Sequence, residues 1–198
     1  MPPRRGPSES SPFVNELQRI TVGVGLHPRT GVPDVGSMRA AHQAAWVAAR
    51  VGAEVTLVHA AWADDGSGPI DVAPGAEAEL EDVCTLMRAE GARVSYEFAT
   101  GHPWHVLVRR ALAGKADLIV AGKRSTAERN RRRVGSTAMR VLRKSPSPVW
   151  LVKPEHDLTH RHVLATTDFS SVSELAVESA AWISSQSKGE LHVLHAWN

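Results

Sequence analysis

Residues 45–60 of this chain recur, without a gap, as residues 181–196. Trp46, Glu54 and His59 return as Trp182, Glu190 and His195, and apolar positions match apolar positions along nearly the whole stretch. Such self-similarity marks one supersecondary unit used twice. The sequence therefore reads as a tandem array whose second member is incomplete.

At 198 residues, one full domain followed by a fragment is the natural partition. A net charge of +2 is too small to imply a nucleic-acid or membrane partner from the overall balance. Cys84 is the only cysteine, so no intramolecular disulfide forms, and a packed thiol in a reducing, cytoplasmic setting is expected. Residues 1–18 read as a disordered polar tail without the apolar stretch of a secretory signal. No run of apolar residues is long enough to span a bilayer.

Short apolar runs alternate with helical stretches. Strands are expected at 20–25, 54–60, 93–99, 117–121 and 148–152. Helices are expected at 37–51, 76–90, from about Pro103, and at 134–144, with Gly52 and Gly91 closing the first two. Strand–helix alternation indicates a parallel sheet covered on both faces, and right-handed crossovers leave few topologies. The simplest result is an α/β fold with an open, doubly wound, five-stranded parallel sheet. It occupies residues 19–154, with a linker at 155–161 and a partial β-α-β repeat at 162–198.

Open α/β sheets bind ligands beyond the carboxyl ends of their strands, where strand order reverses. The segment leaving the fourth strand reads Gly122-Lys123-Arg124-Ser125, then nine residues, then Gly135-Ser136-Thr137 opening a helix. Glycine at the strand end permits close backbone approach. A Gly-Ser-Thr triplet at a helix N-terminus offers free N–H groups, two hydroxyls and the positive end of a dipole. Chemically this is a cradle for an anion or a phosphate.

With that motif, residues 20–153 resemble the universal stress protein family, and 162–198 resemble the first part of a second such domain. The family pattern is Gly, two residues, Gly, nine residues, Gly, then Ser or Thr. Ala116 to Gly122, Ser147 to Val152 and Val163 to Ser170 add to the resemblance. It implies an adenine nucleotide alpha hydrolase-like fold, a homodimer formed through the fifth strand (Pro148 and Trp150 being candidates for that interface), and a non-enzymatic stress-response or regulatory role. It also implies ATP as a nucleotide ligand; from the residues, no metal is expected. By position, Ala60 would flank the base, while Gly122, Arg124, Gly135, Ser136 and Thr137 would line ribose and phosphates.

Two positions depart from the pattern and degrade that site. Gly25 stands where the family has an Asp that meets adenine, and Ser125 stands where it has a second glycine. Between the first strand and the repeated Trp, the first copy has seven more residues than the second, and its loop, containing Arg29 to Gly36, sits where it would cover or fill the cleft. The second copy keeps Asp168 but contains no glycine motif.

Rival chemistries leave weaker traces. Slow ATP hydrolysis or phosphoryl transfer would need a metal ligand and a water-orienting residue; Asp64, Asp65 and Glu128 are the nearby acids. The run Arg129 to Arg133 reads as a solvated loop, or as a flap for phosphates, acidic partners or nucleic acid. Its lack of interleaved aromatics argues against single-strand binding. Neither His102 with His105 nor His192 with His195 completes a metal set in sequence, and His59 and His195 read as structural equivalents. The six tryptophans read mainly as core.

Overall fold

Nine elements alternate through the larger part of the chain: β1 (Arg19–Gly23), α1 (Val35–Val51), β2 (Glu54–Ala61), α2 (Ala76–Ala89), β3 (Arg93–Thr100), α3 (Pro103–Leu112), β4 (Leu118–Gly122), α4 (Ser136–Lys144) and β5 (Val149–Val152). The computed structural model describes residues 16–62, 68–123, 135–153 and 159–197. Two compact units divide the chain, Gln18–His156 and a smaller one made of Met1–Leu17 with Asp157–Asn198. In the smaller unit, β6 (His162–Thr166), α5 (Ser171–Ser187) and β7 (Glu190–Leu194) form a two-stranded parallel pair with one helix.

The five strands of the larger unit are all parallel, in the order β3-β2-β1-β4-β5. Strand order thus reverses beside β1, which lies between β2 and β4. The two-residue period of β1 divides its side chains between the helical layers. A Cβ on Gly23 would meet Leu107 of α3, and Thr21 takes a hydrogen bond from Arg110 of the same helix at 3.3 Å. Ile20 and Val22 are left for the face that α1 covers, and both are buried, as are Leu57 and Ile119. Fully burying one such aliphatic side chain stabilises by about 1.5–3 kcal/mol.

Alanines set how closely α1 lies on the sheet. Ala40, Ala41, Ala44, Ala45 and Ala48 are all buried. Asp34 caps the helix by accepting from the Ser37 N–H at 2.7 Å, and Gly52 ends it in the left-handed conformation at φ 75°. Cys84 is buried, and burial is the main cause that pushes its thiol up from the ordinary value. β5 has one strand neighbour, β4, and so forms an edge.

Most boundaries differ from the sequence expectation by only one or two residues, and at the two ends of β1 the cause is visible. β1 stops at Gly23, two residues early, because the Gly25 N–H leaves the sheet to bond the Ser37 hydroxyl at 2.8 Å. Gln18, placed in the tail by the sequence, already bonds through its carbonyl to Glu54 N–H at 2.7 Å. The tail proper, residues 1–15, lies outside the described residues. Among the described residues, no helix is long and apolar enough to cross a membrane.

The smaller unit repeats the polar joints of the larger one. Ser170 caps α5 through Ser173 N–H as Asp34 caps α1 through Ser37 N–H. Ser173 Oγ takes the Asp168 N–H at 3.3 Å, as Ser37 Oγ takes that of Gly25. His195 Nδ1 meets Thr167 O at 2.8 Å, and His59 Nδ1 meets Val24 O at 3.0 Å. A carbonyl only accepts, so both imidazoles carry their proton on Nδ1 in these bonds.

At the start of β1, Asp117 accepts from the backbone N–H of Gln18 and Arg19 at 3.2 and 2.8 Å, and from the Arg19 guanidinium at 3.1 Å. Partial burial works to raise this carboxyl's pKa, but the bonds from Arg19 and Gln18 prevail and hold it below the usual value. A depressed folded-state pKa gives stability that is complete above the unfolded-state value, roughly 3.9, and is lost as pH falls through the folded value. Asp117→Asn is therefore expected to lower the thermal midpoint at neutral pH, with the gap from the parent protein closing on acidification below about pH 4. A gap constant from pH 7 to pH 2 would contradict the assignment.

Candidate functional site

The floor of the site is a contact between two backbones. A Cβ on Gly122 would lie 2.1 Å from the carbonyl carbon and oxygen of Gly36, and one on Gly36 would lie 2.4 Å from the Lys123 carbonyl oxygen. Both positions are thus restricted to glycine, and the N-terminus of α1 sits directly against the carboxyl end of β4. The expected reason for glycine at 122 was approach to a ligand; the group that approaches it is Gly36.

Above this floor, beyond the ends of β1, β2 and β4, lies a cavity of about 800 Å³. Its wall includes Gly25 after β1, Ala60 in β2, Gly122 closing β4, and Gly135, Ser136 and Thr137 opening α4. Six of the eight expected site positions are therefore together. The other two, Arg124 and Ser125, lie outside the described residues, as do Arg129 to Arg133, Asp64, Asp65 and Glu128.

The α4 terminus has the electrostatics that its sequence suggested. Gly135 occupies the cap position with extended geometry, and among the described residues no side chain caps the helix. The amides of its first turn therefore keep their donors for a ligand or water. Among the described residues, a Cβ on Gly135 would meet nothing within 4 Å, whereas one on Gly122 would clash with Gly36.

The added loop lines the cavity and leaves it open. Leu26 and Pro33 form an isolated antiparallel bridge, and the His27 N–H bonds Val32 O at 2.8 Å. His27 Nδ1 accepts from the Thr30 N–H at 3.3 Å. Gly31, at φ 76°, presses on the start of α2, where a Cβ would lie 2.7 Å from Ala76 backbone atoms. Folded back in this way, the loop contributes Leu26, His27 and Pro28 to the wall. It ends in Asp34, which also lines the cavity and donates its N–H to Gly25 O at 3.1 Å. A carboxylate thus remains near Gly25, supplied by the helix cap.

Aromatic lining is the feature that sequence reasoning missed. Trp62 and Trp104 border the cavity and are only partly buried. Trp62 packs on the His102 ring at 4.4 Å between centroids, and Arg140 and Lys144 lie over Trp104 at 5.7 and 5.3 Å. Among the described residues, both indole nitrogens are buried without a hydrogen-bond partner. Trp104 also packs against the buried cluster of Val58, Leu107, Ile119 and Val141, so the core reading holds for it on that side, while Trp197 is 83% exposed. Their positions carried the signal: Trp62 just follows β2 and Trp104 opens α3, at the strand ends where open sheets hold ligands.

Histidines behave differently from the pairs weighed in sequence. His102 belongs to the cavity wall through Trp62. His195 lies beyond β7 and bonds Thr167 O. Among the described residues, the one group with metal-ligand geometry is His162, Glu190 and His192. In the smaller unit Asp168 borders a shallow depression of about 430 Å³. Its carboxyl is held far below the usual range, first by the Ser170 hydroxyl and then by the Ser170 N–H.

The sequence pattern of the Universal stress protein family matches residues 17–153. The chain belongs to the universal stress protein family. Among solved structures, it is similar to a universal stress protein in complex with cAMP, at 25% identity and TM-score 0.52, over 70% of this chain and 98% of that one. It is also similar to a universal stress protein from Archaeoglobus fulgidus DSM 4304, at 22% identity and TM-score 0.68, over 92% of this chain and 67% of that one. A putative universal stress protein from Pseudomonas aeruginosa UCBPP-PA14 matches at 19% identity and TM-score 0.69, over 91% of this chain. This chain spans 62% of that Pseudomonas protein. No curated protein matches the chain.

The two glycines are expected to separate in mutation. Gly122→Ala forces β4 and the α1 terminus apart and should cost about 3 kcal/mol in chemical denaturation. Gly135→Ala should stay within about 1 kcal/mol of the parent protein. Equal losses would show that Gly36 and Gly122 are not in the described contact.

Proposed function

We propose that this universal stress protein is a non-enzymatic stress-response regulator whose larger unit binds an adenine nucleotide, ATP included, as a conformational ligand. The observation that supports this reading is the gathering of Gly25, Ala60, Gly122, Gly135, Ser136 and Thr137 around one cavity. Unpaired amides at the start of α4 and the hydroxyls of Ser136 and Thr137 suit a phosphate. The similar universal stress protein in complex with cAMP supports an adenine nucleotide as the occupant.

The reading includes a weakened base site. Gly25 brings no carboxylate to the end of β1, and Asp34 is engaged in capping α1. A bound base would find an apolar wall, with Ala60 and Trp62 at the end of β2 and Val106 of α3 among its residues. Binding energy would then come mainly from phosphate contacts and from covering apolar surface. Phosphoryl transfer asks more of a site, since it needs carboxylates that hold a metal and a group that orients water.

The same proposal makes the smaller unit the start of a second universal stress protein domain. The recurrence of the cap, serine and histidine bonds in both units supports it.

Calorimetric titration of ATP and of AMP into the full chain is the test. One nucleotide per chain is expected, with Gly25→Asp tightening binding about tenfold by restoring a charged acceptor, equivalent to about 1.4 kcal/mol. The fluorescence of Trp62 and Trp104 should change in step. Absence of heat with every adenine nucleotide, or steady release of phosphate from ATP, would overturn the reading.

A further inference from the structure

The register of the two-stranded sheet places His162 of β6 directly opposite Glu190 of β7. His192 follows Glu190 by two residues and so shares its face. Three side chains with metal-ligating atoms therefore meet on one side of the pair. His162 Nδ1 lies 3.5 Å and His192 Nε2 3.8 Å from the same carboxylate oxygen, Glu190 Oε2, and all three ligand atoms fall within 4.8 Å of one another.

Those spacings are too long for hydrogen bonds, so the nitrogens converge on the carboxylate without being satisfied by it. They are close to what a cation needs. Zinc–ligand bonds of about 2.0–2.1 Å in a tetrahedral arrangement set donor atoms about 3.4 Å apart. Two imidazoles and one carboxylate are a zinc donor set, with a fourth position left for water. All three side chains are well exposed, so an ion reaches them directly and small rotations bring the donors together.

The cluster is not a general property of this sheet register. In the larger unit, the corresponding pair is Arg19 opposite Glu54. There the cation at the start of the strand turns to Asp117. Only the smaller unit puts histidine at these places. A two-stranded sheet with one helix is also the kind of unit that gains most from a cross-link, because it is marginal by itself.

We propose that His162, Glu190 and His192 form a divalent transition-metal site, selective for Zn²⁺ over Mg²⁺ and Ca²⁺, that clamps β6 to β7. Binding would be coupled to strand pairing, since the ligands come from both strands and the metal stabilises only the paired form.

Calorimetry of the full chain with Zn²⁺ alone, together with hydrogen exchange, tests this. One equivalent is expected to bind, with no comparable binding of Mg²⁺. His162→Ala, Glu190→Gln and His192→Ala should each weaken that equivalent about tenfold or more. The paired variant His102→Ala/His105→Ala, which removes two imidazoles elsewhere, should retain it. Exchange of amides in 162–166 and 190–194 should slow when Zn²⁺ is present. Circular dichroism of the variants should match the parent, since the three residues are exposed. The proposal is overturned if Zn²⁺ does not bind, if binding survives all three variants, or if it disappears with the His102/His105 pair.

Discussion

Everything at the site depends on the contact of Gly36 with Gly122. An α/β sheet that reverses strand order leaves a crevice between two strands whose connections depart to opposite sides. How deep that crevice is depends on how closely the first helix approaches the end of β4. Here no side chain intervenes: backbone meets backbone, and any Cβ at either position would sit inside van der Waals contact. Asp34 and Ser37 then fix the helix end, one as its cap and the other through the Gly25 amide. The cavity results from these few constraints, and the start of α4 forms another part of its wall.

The same polar joints recur in the smaller unit. Apolar matches would be expected wherever two units need the same core. Ser170, Ser173 and His195 instead reproduce specific polar bonds of Asp34, Ser37 and His59. These bonds satisfy backbone groups where the chain leaves β1 or β6, and a buried amide left without a partner is costly. The units differ where the bonds permit it. Seven added residues form the loop before α1 in the first, and a histidine–glutamate cluster stands on the strands of the second.

Much of this was legible in the sequence because the period of apolar residues fixes strands and helices within a residue or two. Gly52 and the alanine-rich stretch before it mark α1 without ambiguity, and the spacing from Gly122 to Gly135 points to the cradle. Four things were not legible, each for a reason. Trp62 and Trp104 look like core in one dimension, because sequence shows that a tryptophan is apolar but not that it lies at the rim of a crevice. That Gly122 also packs against Gly36 is invisible in sequence, which shows it only as a position facing a ligand. His162 lies 28 residues from Glu190, and only the parallel register brings them together. The extra loop was expected over the cleft, but whether it fills or lines it depends on Gly31 docking against Ala76.

The central claim is that the crevice beside β1 and β4 is where a nucleotide acts. Amide chemical-shift mapping of the isotopically labelled full chain during titration with AMP tests it most directly. The account predicts the largest shifts at Gly25, Ala60, Gly135, Ser136 and Thr137, with little change along β6 and β7. Shifts confined to the smaller unit, or absent at the start of α4, would contradict it.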